Sequence, residues 1–157
     1  MQGNKLVIDA LNLLLAAELT SIDQYFVHSQ MYHNWGYHKL YERIDHERQD
    51  EIGHTTRLIE RILFLNGIPN VAARTALRIG ADVPAMLKND LDTEYEVAAM
   101  LKKTIALAET EQDYVTRTML VQLLDDTEQD HAHWLEQQLG LITAVGLPNY
   151  LQLQAAE

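Results

Sequence analysis

The sequence predicts an all-α fold: a bundle of four long helices with one long crossover connection and a short fifth helix at the C-terminus. Three observations predict it. Apolar residues recur at helical spacing through nearly the whole chain, and no stretch alternates as a strand would. Only three prolines and seven glycines interrupt the 157 residues, and they fall mostly where helices should end. The first and third connections are short and the second is long, which is the connectivity of a bundle with a single crossover.

The first helix is expected over about 5–34 and ends at Gly36 in "NWGYH". The second, about 39–66, ends in "NGIPN". The crossover occupies about 67–82. In "ADVPAM", Asp82 is placed to cap a third helix, with Pro84 in its first turn, over about 84–110. A fourth runs over about 113–145 and closes at "VGLPNY", leaving a short fifth near 147–155. No linker or repeat divides residues 1–157, so one domain is expected.

Composition narrows the function. A net charge of -11 argues against nucleic acid, whose phosphates need a basic surface. The absence of cysteine removes disulfides, thiolate metal sites and cysteine nucleophiles. No apolar run is long enough to span a bilayer, and the first residues lack a basic leader. A cytoplasmic protein without membrane or nucleic-acid partners is expected.

Ionisable residues interrupt each of the four core stripes near its middle. The first stripe runs Leu11, Leu15, Glu18, Ile22, Tyr25. The second runs Leu40, Ile44, Glu51, His54, Leu58, Ile62. The third runs Leu87, Leu91, Glu94, Ala98, Leu101, and the fourth Leu124, Glu128, His131, Leu135. Two helices thus bring a lone Glu and two bring Glu-x-x-His, whose side chains share a helix face. Buried carboxylates are costly unless compensated. Four negative charges balance two divalent cations, with two neutral imidazoles completing the ligand set. Carboxylate oxygen plus imidazole nitrogen suits iron or manganese. The arrangement resembles that of the known di-metal carboxylate bundles. Solvated surface charge is the alternative for any single residue, and the ordered conjunction of all six argues against it.

Longer strings carry a more specific resemblance. "LNLLLAAELTSIDQYFVHSQMYHNWG", "LIERILFLNGIPN", "DYVTR", "HWLEQQLGLI" and "GLPNYLQ" resemble a bacterioferritin-type bacterial ferritin over nearly the whole chain. The resemblance implies an iron-storage subunit of a hollow 24-subunit shell. It implies a ferroxidase that oxidises Fe(II) with O2 or H2O2 at a di-iron centre and deposits ferric mineral in the cavity. By the same resemblance, Glu18 and His54 are terminal ligands of one iron, and Glu94 and His131 those of the other. Glu51 and Glu128 are the bridging carboxylates, and Tyr25 is a tyrosine beside the centre, placed to donate an electron. His46 and Asp50 match a pair that holds iron on the inner surface of the shell; a solvated helix face is the alternative.

Two departures from the family pattern stand out. Ile52 occupies the position of the haem-ligating methionine, so two copies of this chain cannot supply bis-methionine ligation. This argues against haem b for this chain alone and places it in the branch lacking that methionine, whose members form shells alone or mixed with a haem-binding sister subunit. The chain is also one residue longer than many relatives before His131, near "LLDDTE". A gapless register puts Thr127 and Asp130 at the ligand positions; a local π-bulge would instead keep Glu128 and His131. The second register is preferred because "HWLEQQLGL" then stays in phase.

The other histidines read as surface residues: His28, His33 and His38 cluster at the first turn and are expected to be exposed. The rival function is a di-iron or di-manganese oxidoreductase acting on a small organic substrate, which uses the same ligand types.

Overall fold

A computed structural model describes residues 1–156. α1 spans Lys5–Trp35, α2 His38–Phe64, α3 Val83–Thr110 and α4 Tyr114–Asp125. A π-helical segment, Asp126–Ala132, continues α4 without a break into α5, His133–Val145, and α6 spans Leu147–Ala155. The architecture is a four-helix bundle with one long crossover and a short C-terminal helix. α1 packs on α2, α3 packs on the α4–π–α5 rod, and α1 also meets α3.

Local chemistry sets the ends. Asn4 caps α1, its side-chain oxygen accepting from the Leu6 and Val7 amides at 2.8 and 3.3 Å. Gly36 ends α1 in the left-handed conformation, φ 83°, and the Tyr37 amide turns back to the Tyr32 carbonyl at 3.0 Å. Asp82 caps α3 through the Ala85 amide at 2.9 Å, and Asp113 caps α4 through Thr116 at 3.1 Å.

The crossover has no helix of its own, so its backbone donors need partners. One face of α1 provides them. Asn12 accepts from the Asn70 amide, Thr20 from Thr75, Gln24 from Arg78 and His28 from Gly80, at 2.7 to 3.1 Å. His28 is thus fully buried, contrary to the expectation of exposure. Its Nδ1 donates to the buried Asp90 at 2.8 Å, which fixes the ring so that Nε2 can accept from Gly80.

The apolar core is in two parts. One holds Val7, Leu11, Leu15, Leu58, Ile62 and Leu101; the other holds Tyr25, Tyr32, Ile44, Leu87, Leu135 and Tyr150. Tyr150 ties α6 to the second cluster and donates to Gln138 at 2.8 Å. Between the two lies a layer of buried ionisable side chains. Among the described residues, no helix is long and apolar enough to cross a membrane.

Candidate metal centre

Four elements meet in that layer. α1 brings Glu18, α2 brings Glu51 and His54, α3 brings Glu94, and the π segment brings His131. All five are at most 4 % exposed. Their ligand atoms form two groups, Glu18–Glu51–His54 and Glu51–Glu94–His131, each gathered within 4.8 Å. Glu51 is common to both.

The two imidazoles lie nearly parallel, their ring centres 5.8 Å apart, and present the same edge to the centre. His54 Nδ1 lies 3.1 Å from Glu18 and 3.3 Å from Glu51. His131 Nδ1 lies 3.0 Å from Glu51 and 3.5 Å from Glu94. Each Nε2 faces away and meets another carboxylate: Asp126 at 3.2 Å for His54, and Glu47 at 2.7 Å and Asp50 at 3.3 Å for His131. Carboxylates in this outer position hold the tautomer that leaves Nδ1 free to ligate. Tyr25, buried below the layer, donates its hydroxyl to Glu94.

Without metal, protons supply the positive charge. Burial raises the Glu18 carboxyl well above its ordinary range, and repulsion from Glu51 adds to this. Burial and Glu51 raise Glu94 likewise. Burial acts on Glu51 in the same sense but is outweighed by hydrogen bonds from Glu18, His131 and His54, so Glu51 stays ionised. Burial opposes the charged form of His54, yet Glu18 and Glu51 push its pKa up to about 11. Burial likewise opposes protonation of His131, but Glu94, Asp50, Glu47 and Glu51 prevail and raise it strongly. One oxygen each of Glu18, Glu51 and Glu94, and Nδ1 of His131, still lack a well-formed hydrogen bond. Unsatisfied buried atoms converging on one point are the donor set of a cation site.

Glu128 is not part of this layer. It lies on the surface, its side chain 44 % exposed and paired with Lys102 at 2.9 Å, and Thr127 is buried in its stead. The reason is helical pitch. In an α-helix the residue three before His131 shares its face; the wider π turn shifts that place one residue further back. The extra residue therefore divides the two registers, keeping His131 inside and putting Thr127, not Glu128, on the inner face. His46 is 60 % exposed, with Nε2 3.4 Å from Asp50. Ile52 is an exposed apolar residue on the outer side of α2.

Glu47 and Asp126 were missed from the sequence. Glu47 is 2 % exposed and joins Asp50, Asp130 and His131 in a third acidic group, with Arg43 against it at 2.5 Å. Its position, three after Ile44 and four before Glu51, lies on the second stripe and was the available signal.

The fold agrees with comparison to known proteins. The ferritin-like domain profile matches residues 8–145. The chain belongs to the ferritin family. As a ferritin it is 55 % identical over 154 residues to a protein of Synechocystis sp. named bacterial ferritin, covering 98 % of this chain and 99 % of that one. A bacterial ferritin of Neisseria meningitidis serogroup B is 56 % identical over the same shares. A protein named bacterioferritin, from Mycolicibacterium paratuberculosis, is 41 % identical over 96 % of this ferritin chain and 94 % of its own length. The donor chemistry of the buried layer fits a pair of ferrous ions, with one carboxylate fewer than the sequence suggests.

Proposed function

We propose that the chain is an iron-storage subunit and a ferroxidase, with Fe(II) as its substrate. One observation carries this reading: two buried groups of two carboxylates and one imidazole share Glu51, the arrangement that two adjacent divalent cations need. Glu18, Glu51 and His54 hold one Fe(II); Glu51, Glu94 and His131 hold the other. Metal binding competes with protonation of Glu18, Glu94 and the two imidazoles, which the layer favours in the absence of a cation, because a ligand must be deprotonated. Each iron then gives one electron. Two Fe(II) and one O2 take up two protons to give two Fe(III) and H2O2, or two Fe(II) reduce one H2O2 to two waters with two protons. The layer keeps two one-electron donors side by side, so that the oxidant is reduced by two electrons in one encounter. Tyr25, hydrogen-bonded to Glu94, is placed to supply a further electron.

The subunit assembles as a homo-oligomeric shell of 24 copies, alone or mixed with a haem-binding sister chain, in the cytoplasm. With Ile52 in place of methionine, this chain alone supplies no haem b ligand. Ferric product passes to the interior, where His46 and Asp50 offer an iron site on the inner surface. The whole of residues 1–157 acts as one domain.

Stopped-flow oxidation at two Fe(II) per subunit tests the reading. Glu18→Ala and His131→Ala should each abolish the rapid phase while gel filtration still shows a particle of several hundred kilodaltons. Unchanged kinetics in both variants would overturn it.

A further inference from the structure

Away from the metal layer, α1 and α3 leave an apolar groove between them. The core side of α1 is supplied by Val7, Leu11, Leu14 and Leu15, all fully buried. A second row, Leu6, Ala10 and Leu13, repeats at helical spacing on another face. The core does not absorb this row: Leu6 is 57 % exposed and Leu13 65 %. α3 sets Met100, Lys103, Thr104 and Leu107 against Ala10 and Leu13, again at spacings of three and four. Together they line a groove of about 230 Å³. A single exposed leucine needs no explanation, but a shaped apolar concavity is the form of a small-molecule site.

One polar group is left to a ligand there. The Thr104 hydroxyl is committed to the Met100 carbonyl of its own helix at 2.8 Å. Lys102 pairs with Glu128 at 2.9 Å, and Lys5, beside Leu6, with Asp9 at 2.6 Å. Among the described residues, no carboxylate pairs with Lys103, and one turn to either side of it stand Ala99, Met100, Ala106 and Leu107. In a chain of net charge -11, an unpaired ammonium set in apolar surface is a local positive point. A lone exposed ammonium holds a small anion weakly, because water screens the pair. The groove beside it adds attraction only for an anion that carries hydrocarbon.

We propose that the α1–α3 groove is a binding site for a small amphipathic carboxylate, its chain between Leu13, Met100 and Leu107 and its anionic end on Lys103. At about 30 Å³ for each water-sized group, the groove takes a chain of about eight carbons. None of the buried metal ligands takes part, so occupancy does not depend on iron.

Octanoate is the probe, titrated into the assembled protein by isothermal calorimetry, with saturation-transfer NMR to observe the bound chain. One octanoate per subunit is expected, with affinity rising about two- to fourfold per methylene from butanoate to octanoate and levelling off beyond it. Octylammonium should bind at least about fivefold more weakly than octanoate. Lys103→Gln should remove that preference, Lys103→Arg should keep it, and Lys102→Gln should change nothing. Leu13→Asn should weaken every chain length while the particle elutes as before. Absence of octanoate binding by the wild type, or equal octanoate affinity in the wild type and Lys103→Gln, would overturn the proposal. Dissociation of the particle by Leu13→Asn would show that a second copy covers this face, and would overturn it as well.

Discussion

Replacing Glu51 by Gln should remove both metals at once. Glu51 is the one side chain common to the two ligand groups, 1 % exposed, with one oxygen 3.0 Å from His131 and the other 3.3 Å from His54. Glutamine keeps the shape and removes the charge, so packing is conserved and the effect is electrostatic. A unit charge lost at about 4 Å, at an effective dielectric near 20, amounts to about 4 kcal/mol per unit of positive charge. Even that lower bound for a dication is about three orders of magnitude in affinity, and it applies to each metal. Glu18→Gln touches one group and Glu94→Gln the other, so each should weaken one equivalent and spare its neighbour. Anaerobic Fe(II) titration followed by equilibrium dialysis measures all three, with far-ultraviolet circular dichroism and gel filtration to establish that fold and assembly persist. If Glu51→Gln retained either equivalent within about tenfold of wild type, Glu51 would not be the shared ligand and the bridging argument would fail.

Three further outcomes follow from other parts of the molecule. His28→Ala leaves Asp90 buried without its imidazole partner and strips the Gly80 amide of its acceptor; it should cost about 3–5 kcal/mol in urea unfolding, and a loss under about 1 kcal/mol would show that the crossover does not depend on it. Asp113 caps α4 and receives Arg61 at 3.0 Å. Burial acts to raise its pKa, but Thr116 and Arg61 outweigh it and hold the carboxyl below the usual range. Its contribution is therefore full above about pH 4 and is lost as pH falls through the lowered value. Asp113→Ala should cost about 1–2 kcal/mol near neutrality and less in acid, whereas a penalty that grows in acid would contradict the assignment. Tyr25→Phe removes the donor to Glu94 but keeps the ring, so metal stoichiometry should stay at two while any tyrosyl signal in freeze-quench paramagnetic resonance disappears; a surviving signal would place the radical elsewhere.

The helices and most of the centre were legible because burial and charge shared one period. Glu18, Glu51, His54, Glu94 and His131 each interrupt an apolar stripe at a point where a side chain must face inward. Glu128 was misread because that reasoning absorbs the extra residue before Glu128 and keeps the α pitch between Glu128 and His131, whereas the π segment spans both. Seven residues of π helix change the angular step, and inward-facing residues downstream of an insertion are then set by where the extra residue is absorbed. Pattern alone does not say where that is. Glu47 was passed over, and His28 was read as exposed, for a different reason. Both lie on buried stripes, but a polar residue there reads as exposed unless its partner is known. Those partners, His131 and Arg43 for Glu47 and Asp90 and the Gly80 amide for His28, are 52 or more residues away in sequence except for Arg43. The crossover was legible only as a gap between helices. Its attachment to Asn12, Thr20, Gln24 and His28 follows a single face of α1, and that face carries ordinary polar residues with no signature of their own.

The most direct measurement is anomalous diffraction at the iron edge from crystals loaded with Fe(II) without oxygen. Two peaks per subunit are predicted inside the bundle, one touching Glu18, Glu51 and His54 and the other Glu51, Glu94 and His131, with Glu128 still on Lys102. Iron found only at surface carboxylates, with the buried layer free of anomalous density, would contradict the account.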